Sequence, residues 1–325
     1  MEATAIILRV AGRARRVVFL GDFNVDIILD GMEQEPQRDR EVSCRSFELA
    51  MGASSCIAAC AYASLGGESW LCGLAGADYF GDFMLQGLES FGVRTTEVRR
   101  RADVQTGVTV NLVQGSARTQ VTYPGSIAAF SAADVSDRAL EHAAHVHVSG
   151  VYQAKALLPG VDAVLRRAHA VGATTSLDCQ WDPSERWELL SDWLPHVDWL
   201  FANDQEALSI TGRTTLEEAL SELAGRTRCP VIKQGARGAT AVVDGRPLRD
   251  AARTVAVVDT IGAGDNFDSG FLFATVERNL TVPAALGFAN AVAARSCRFR
   301  GGTAARTRWQ DIDPRLPDFR KESES

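Results

Sequence analysis

The sequence has no long apolar run and no recognisable pattern of paired cysteines. None of its hydrophobic stretches approaches the 18 residues of a membrane-spanning helix, so we predict no membrane span and no membrane partner. The seven cysteines are odd in number, scattered and without a C-x-x-C pair. This pattern is typical of a reduced protein, and it predicts a cytoplasmic location.

Positive charge is scarce as well. The formal net charge is −7 at pH 7, and only Lys155, Lys233 and Lys321 are lysines among the 34 basic residues. An acidic surface repels nucleic acid. We therefore predict a small-molecule substrate and no nucleic-acid partner.

Two widespread nucleotide-binding motifs are also absent. The chain contains no G-x-x-x-x-G-K-[ST], which excludes a P-loop enzyme, and no G-x-G-x-x-G after its first strand candidate. A Rossmann oxidoreductase would therefore lack its fingerprint.

What the sequence does contain is an alternation of apolar strand candidates with helical patterns. The strand candidates are residues 17–23, 69–74, 146–149, 175–178, 197–202, 231–234 and 254–258. Helical patterns include residues 53–65, 160–171, 216–224 and 266–278. Continuous apolar strands that alternate with helices predict an α/β fold, a mostly parallel sheet with helices on both faces.

Two segments depart from this alternation. Residues 108–112 and 118–123 alternate apolar and polar side chains around a Gln-Gly-Ser turn, which predicts a hairpin, and residues 42–49 are a similar strand candidate. Together they predict a small β-sheet lid formed by segments at about 27–50 and 105–123. We expect one domain over residues 17–312, with a loose N-terminal extension at 1–16 and a loose tail at 313–325.

The segment from Asp259 to Asp265 reads Asp-Thr-Ile-Gly-Ala-Gly-Asp and lies between a strand candidate and a helical pattern. A turn of small residues that opens a helix directs bare backbone N–H groups at one spot, which suits phosphate. A carboxylate at its rim repels phosphate, so Asp265 suits a base that takes a proton from an attacking hydroxyl. The alternative is an acidic residue placed in the first helical turn for dipole reasons alone.

Other polar or glycine residues follow predicted strands, namely Asp26, Asp178, Asn203 and Gly235. Ligands bind at the carboxyl edge of an open parallel sheet, so we expect these residues to meet. Asn203, with Glu206 three residues later, is either a capping box or a site near Mg²⁺ and nucleotide phosphates. The two glycines of residues 235–238 permit either a structural hairpin or the close approach of a ligand.

With these features the chain resembles the ribokinase-like (PfkB-type) carbohydrate kinase family. The family's C-terminal signature is matched completely from residue 259 to 272, and further similar segments follow the family's order: 21–26, 52–66, 76–81, 203–206 and 235–238. The resemblance spans residues 17–312. It implies ATP-dependent phosphorylation of a sugar hydroxymethyl group by a ribokinase-like α/β body with a β-sheet lid.

The resemblance also implies roles for individual residues. Asp265 corresponds to the catalytic base, beside an anion hole formed by Ile261, Gly262, Ala263 and Gly264. The other implied groups are an ATP site at Asn203, Lys233, Gly235, Gly238 and Asn290, Mg²⁺ held through water near Glu206, a candidate K⁺ near Asp259, and sugar contacts from Asn24 and Asp26.

The chain departs from the family at the start of its first helix. The family runs Gly-Gly, three residues, then a sugar-binding Asn, whereas this chain reads Met-Gly-Ala-Ser-Ser-Cys from residue 51. We expect substrate contacts from Gly52, Ser54, Ser55 and Cys56, although a thiol cannot replace the hydrogen bonds of an amide. Ala53 stands where sugar-phosphate kinases carry lysine, which disfavours a phosphorylated substrate.

The prediction is therefore a kinase of an unphosphorylated sugar or sugar-like substrate, for example a ketohexose or a keto-acid sugar. A nucleoside kinase stays open, and it would need aromatic stacking from the lid, where Phe47 and Tyr123 are the aromatic residues. A catalytically silent sugar-binding homologue also stays open, although neither the base nor the anion hole is lost. The resemblance further suggests a homodimer formed through the lid.

Overall fold

The computed structural model describes residues 15–114 and 117–312. Residues 1–14 and 313–325, within the segments predicted to be loose, lie outside the described residues. Among the described residues, no helix has both the length and the apolar character that crossing a bilayer requires.

The strands alternate with helices along most of the chain. The strands are β1 (Arg16–Gly21), β2 (Asn24–Asp30), β3 (Ser46–Met51), β4 (Ser69–Gly76), β5 (Arg94–Arg101), β6 (Gly107–Gln114), β7 (Ala117–Tyr123), β8 (Ala143–Ser149), β9 (Thr174–Asp178), β10 (Trp199–Asn203), β11 (Cys229–Lys233), β12 (Ala239–Val243) and β13 (Arg246–Asp250). The helices are α1 (Ser54–Leu65), α2 (Tyr79–Ser90), α3 (Ser126–Ala129), α4 (Asp137–Leu140), α5 (Val161–Ala170), α6 (Leu190–Trp193), α7 (Asp204–Thr211), α8 (Leu216–Ala224), α9 (Ala263–Leu272) and α10 (Val282–Ser296).

Nine strands form one large sheet in the order β13-β12-β11-β10-β9-β8-β1-β4-β5. The seven strands from β11 to β5 in that order are parallel to their neighbours, whereas β12 and β13 pair antiparallel. Successive residues of β1 enter different cores, since Val17 and Phe19 belong to one apolar cluster and Val18 and Leu20 to another. Helices therefore cover both faces of the sheet, and the predicted α/β fold is confirmed.

A separate sheet of four strands has the order β3-β2-β6-β7. The hairpin predicted around residues 108–123 is present as β6 and β7, and the strand predicted at 42–49 is present as β3. Asp26, Thr109 and Thr122 are register partners across β2, β6 and β7. Because side chains alternate along a strand, these three residues share one face of the small sheet.

The strand predicted at residues 254–258 is wrong. The chain is irregular between β13 and α9, and Val257 and Val258 are each 62% exposed. The hairpin of β12 and β13 extends the large sheet beyond β11 instead, so this apolar run has no sheet position to fill. The backbone N–H of Val258 donates to the Cys297 carbonyl at 2.8 Å, which fixes the segment against the end of α10.

Candidate active site

A cavity of about 810 Å³ opens between the small sheet and the carboxyl edge of the large sheet. Its lining combines the small-sheet face described above with residues that follow β1, β9, β10 and β11. The predicted site residues that line it are Asn24, Asp26, Ser54, Asn203, Glu206, Lys233, Gly235, Ile261, Gly262, Gly264 and Asp265. The structure thus brings together most of the residues selected from the sequence.

The glycine turn at the start of α9 has a conformation that its sequence requires. Gly262 has φ 70°, a left-handed value, and a Cβ there would lie 2.6 Å from the Cα of Gly302. The Asn266 amide donates to the Gly262 and Gly302 carbonyls, at 2.8 Å each, and holds the turn in place. Helix α9 begins directly after this turn, at Ala263, so its N-terminal N–H groups border the cavity.

Asp265 lies in the first turn of α9 and is 7% exposed. Burial, with a further contribution from the negative charge of Asp178, raises the pKa of Asp265 to about 8. The Gln180 amide donates to Asp265 Oδ1 at 3.4 Å. A carboxylic acid that titrates near neutral pH can accept a proton from a hydroxyl and later release it to water.

Asp22, which the sequence analysis missed, supports the cavity at the start of α1. Its carboxylate accepts hydrogen bonds from the backbone N–H groups of Ser54 and Ser55, each at 3.0 Å. Ala53, the residue before the helix, provides no side-chain cap, so Asp22 caps the helix from the turn between β1 and β2. Burial raises the pKa of Asp22. The sequence indicated Asp22 only through its place in the segment 21–26, which is similar to the family.

The polar face of the small sheet is tightly organised around Asp26. The Asn24 amide donates to Asp26 Oδ1 at 3.0 Å and to Thr109 Oγ1 at 3.3 Å, and Thr109 is 3.1 Å from Thr122 Oγ1. Gly52 lines neither cavity, but a Cβ there would overlap with the Asp26 carboxylate. Gly52 therefore makes room for the Asp26 carboxylate.

Two predicted substrate contacts, Ser55 and Cys56, do not line the cavity. Both side chains are fully buried, and the Ser55 hydroxyl donates to the Asp22 carbonyl. The Cys56 sulfur lies 3.8 Å from the same carbonyl, and burial raises the pKa of the thiol well above its ordinary value. The phase of the helix explains this correction, since Ser54 faces the cavity while the next two residues face the core.

Asp259 does not line the cavity either. Its carboxylate accepts backbone N–H groups from Ile261 at 3.0 Å and from Gly301 at 2.9 Å, so it braces the glycine turn. In the described part of the chain, no group of three or more His, Cys, Asp or Glu residues is arranged to hold a metal ion.

Asn203 and Glu206 form the capping box that their spacing predicts. Each side chain accepts the other's backbone N–H at 2.8 Å. Both residues also line the cavity, so the capping role does not exclude contact with a ligand. Burial, followed by the negative charge of Asp178, raises the pKa of Glu206 to about 7.

Lys233 lies in a buried ionic cluster with two carboxylates. Asp178 is one of the strand-end residues that were expected to meet, whereas Asp268 was not predicted. The Lys233 ammonium is 2.6 Å from Asp178 Oδ2 and 3.1 and 3.2 Å from the two oxygens of Asp268. Asp178 and Asp268 are 1% and 0% exposed. Burial alone would lower the pKa of Lys233, but the two carboxylates outweigh it and raise the pKa above its ordinary value. The sequence did indicate Asp268, because it is a carboxylate in an apolar helix, three residues after Asp265.

A second cavity of about 440 Å³ adjoins the first and is mainly apolar. Its lining includes Gly235, Gly238, Ala263 and Asn290, together with the irregular segment that contains Val255 and Val257. The Asn290 amide donates to the carbonyl and the carboxylate of Asp250, at 3.0 and 2.9 Å. Both cavities share Lys233, Gly235, Thr260 and Gly264.

Two joined cavities, one polar and one apolar, lie at the carboxyl edge of the parallel sheet, which is where α/β proteins bind small molecules. Over residues 14–308 the sequence matches the description "pfkB family carbohydrate kinase". The chain belongs to this family and is a carbohydrate kinase.

The chain is similar to named kinases along most of its length. It is 31% identical over 297 residues to an ATP-dependent ribose-1-phosphate kinase from Halopiger xanaduensis, covering 90% of this chain and 95% of that one. It is 25% identical over 303 residues to a ribokinase from Bacillus subtilis, covering 92% and 99%.

Solved structures show the same fold. An Arabidopsis thaliana ribokinase complexed with ribose and ATP superposes with a TM-score of 0.80 at 22% identity, covering 91% of this chain and 96% of that one. A putative ribokinase II from E. coli, in complex with ATP and Mg²⁺, superposes with a TM-score of 0.82 at 21% identity, covering 91% and 97%.

Proposed function

We propose that this protein transfers a phosphoryl group from ATP to a hydroxymethyl group of an unphosphorylated sugar, with Asp265 as the general base. The observation that carries the proposal is the position of Asp265. It borders the polar cavity directly after the glycine turn, and the residue before it, Gly264, borders both cavities. A hydroxyl in the polar cavity and a phosphate at the turn would therefore meet beside this carboxylate.

Different groups of the chain have different roles in the proposed reaction. Within the turn, the backbone N–H of Ile261 donates to Asp259 and that of Ala263 donates to the Thr260 carbonyl. The N–H groups of Gly262 and Gly264 therefore stabilise the charge on the transferred phosphoryl group, and Asp265 takes the proton of the acceptor hydroxyl. In the apolar cavity, Gly238 and Asn290 border the position proposed for the adenine ring. The polar face around Asp26 holds the sugar hydroxyl groups away from water.

The residues present fit Mg²⁺ as the partner of ATP. Carboxylates are the ligands that this ion prefers, and Glu206 borders the polar cavity with Oε2 engaged in the capping box. Asp204 borders the cavity as well, but its two oxygens accept the Gln205 N–H and the Arg237 guanidinium. Bound Mg²⁺ would neutralise phosphate charge. K⁺ near Asp259 fits less well, because both oxygens of this carboxylate accept backbone N–H groups outside the cavities.

The charge of the cavity supports an acceptor without phosphate. Among the described side chains that line the polar cavity, Lys233 is the one basic group, and it is already paired with two carboxylates. The ribose-1-phosphate kinase relative is named for a phosphorylated substrate. A second phosphate or a sugar carboxylate would have no free cation here, so a neutral ketohexose fits better than a keto-acid sugar.

Neither alternative gains support from the structure. Phe47 and Tyr123, the lid aromatics that a nucleoside base would need, are 65% and 51% exposed and border neither cavity. A silent homologue would have no reason to keep both the glycine turn and a buried carboxyl group beside it.

The small sheet also carries an apolar outer face that supports the proposed homodimer. Register places Val121 and Tyr123 on the face opposite Thr122, and Phe47 belongs to the same outer face through its partner Leu29. Val121 is 59% exposed. Exposed apolar side chains that share one face of a sheet are typical of a contact between copies.

The test is ADP release with a panel of ketoses, aldoses, keto-acids and nucleosides. We expect turnover with neutral sugars, and a fall in kcat of about 100-fold or more for Asp265→Asn, in line with general-base contributions. Asp26→Asn should mainly raise the KM for the sugar. Asp198→Asn is the matched control, because this carboxylate pairs with His169 and Arg228 at the opposite end of β10. No turnover with any sugar, or an undiminished Asp265→Asn rate, would refute the assignment.

A further inference from the structure

A chain of hydrogen bonds connects the buried ionic cluster to Asp265. Asp178, at the end of β9, accepts the Lys233 ammonium with Oδ2 at 2.6 Å and the backbone N–H of Gln180 with Oδ1 at 3.2 Å. The Gln180 side-chain amide in turn donates to Asp265 Oδ1 at 3.4 Å. One carboxylate therefore holds both the cation at the junction of the two cavities and the residue that contacts the proposed base.

Gln180 has a backbone conformation that must be imposed by its surroundings. Its φ is 58°, and Glu185, Trp187 and Leu189 in the same loop also have positive φ values, of 56°, 52° and 65°. Such conformations cost free energy in residues other than glycine and persist where neighbouring contacts fix them.

The fixing contacts come from within the loop as well as from Asp178. The carboxylate of Asp182 accepts the backbone N–H groups of Ser184 at 2.9 Å, Arg186 at 3.1 Å and Trp187 at 2.8 Å. The loop therefore cannot relax its backbone independently, and the Gln180 side chain is presented to the cavity, whose lining includes Gln180.

We propose that Gln180 is a positioning residue for phosphoryl transfer, which orients the Asp265 carboxylate toward the acceptor hydroxyl and couples it to the Asp178–Lys233 ion pair. This role rests on the proposed function of Asp265 as the base. An amide can only donate to a carboxylate oxygen, so the Gln180 contact fixes the orientation of the carboxylate without taking up its proton. The Ser54 side chain also hydrogen-bonds to Asp265, and Gln180 acts together with it. The distance of 3.4 Å between the Gln180 amide nitrogen and Asp265 Oδ1 is long for a hydrogen bond. Catalytic hydrogen bonds that are long in a free enzyme shorten when the substrate complex forms.

Several charged groups surround Asp265, and the direction in which each variant should shift the pKa of Asp265 can be predicted. The charged groups that border the same cavity or the same helix are Asp22, Asp26, Asp178, Asp204, Glu206, Lys233 and Asp268. Removing the Gln180 donor takes away a hydrogen bond to the charged form, which should raise the pKa of Asp265. Neutralising Asp178 removes a nearby negative charge, which should lower it.

The experiment compares Gln180→Leu, Gln180→Asn and Asp178→Asn. Gln180→Leu keeps the size and loses the donor, so kcat should fall roughly tenfold with the KM for ATP unchanged, the effect of one lost hydrogen bond to a charged group. Gln180→Asn keeps an amide and tolerates positive φ, so it should recover part of this loss. The acid limb of the kcat profile should move to higher pH in Gln180→Leu and to lower pH in Asp178→Asn.

A second measurement separates this proposal from the kinase assignment. Carbon NMR of ¹³C-labelled carboxyl groups, assigned with Asp265→Asn, reports the titration of Asp265 in the free protein without any turnover. If the wild type phosphorylates no sugar but the titration moves in the two opposite directions, the proposed function is refuted and the coupling stands. If Gln180→Leu leaves both kcat and the Asp265 titration unchanged, the positioning role is refuted.

Discussion

Two buried histidines should make this protein less stable in mild acid. His145 and His147 lie on β8 in the centre of the large sheet. The Ser176 hydroxyl forms a hydrogen bond of 2.7 Å with His145 Nε2 and another of 2.7 Å with His147 Nδ1. Burial lowers the pKa of His145 to about 3 and that of His147 to about 4, from an ordinary value of 6.5. Both imidazoles are therefore neutral in the folded protein throughout the mild-acid range.

The sign and size of the effect follow from proton linkage. Below pH 6.5 the unfolded chain binds protons on both imidazoles while the folded protein does not, so stability is lost as the pH falls from 6.5 toward 4. At pH 5 the loss is about 2 kcal/mol for each imidazole, at about 1.4 kcal/mol per pH unit below the ordinary pKa. The pair together should cost about 4 kcal/mol relative to pH 8.

Two carboxyl groups act in the opposite direction over the same range. The pKa values of Asp265 and Glu206 are raised, to about 8 and about 7, so the folded protein holds more protons than the unfolded chain and gains stability on acidification. The wild type's total dependence on pH is consequently a partial cancellation. The histidine contribution has to be measured as a difference between variants.

The assay is urea unfolding, followed by circular dichroism, at pH 8 and pH 5 for the wild type and for His145→Gln with His147→Gln. We expect the free energy of unfolding of the double variant to fall less on acidification than that of the wild type, by about 4 kcal/mol. Equal pH dependence in the two proteins would show that the imidazoles are not held neutral by the fold.

Two further predictions concern the metal and the lid. Glu206→Gln should keep the capping box, because glutamine also serves at that position. The variant should need about tenfold more Mg²⁺ for half-maximal activity, measured by ADP release. An unchanged Mg²⁺ requirement would show that Glu206 is not part of the metal site. Phe47→Asp places a charge on the exposed outer face of the lid and should convert a dimer into a monomer, as measured by sedimentation. A wild-type protein that is already monomeric at micromolar concentration would refute the lid interface.

The parts of the site that sequence reasoning located are those set by local rules. The glycine turn at residues 262–264 needs positive φ next to a helix start, and the capping box of Asn203 and Glu206 needs only three residues' spacing. The strand at 254–258 failed because β12 and β13 occupy the sheet edge, which no local pattern shows. Cys56 failed because a motif position does not give the phase of the helix that carries it.

Three carboxylates have contacts that the sequence did not predict, because their partners are far away in sequence. Asp178 and Asp268 reach the Lys233 ammonium from 55 and 35 residues away, and Asp22 caps a helix that begins 32 residues later. Each is an ordinary polar residue at a strand end or in a helix until the sheet order brings it to its partner. Fold class was predictable from periodicity, whereas these contacts depend on the arrangement of β1, β9 and β11 in space.

The junction between the two cavities shows why glycine and lysine occur together there. A Cβ on Gly264 would lie 3.2 Å from the Lys233 ammonium, so the absent side chain lets this cation approach the backbone of the helix start. Gly235 borders both cavities with φ 57° and no atom close to where a Cβ would stand. In the proposed complex, the phosphate chain of ATP would cross from the apolar cavity to the polar one beside these glycines. Lys233 is held there by Asp178 and Asp268, so its side chain would lose little entropy on contact with a phosphate, although its charge is already largely compensated.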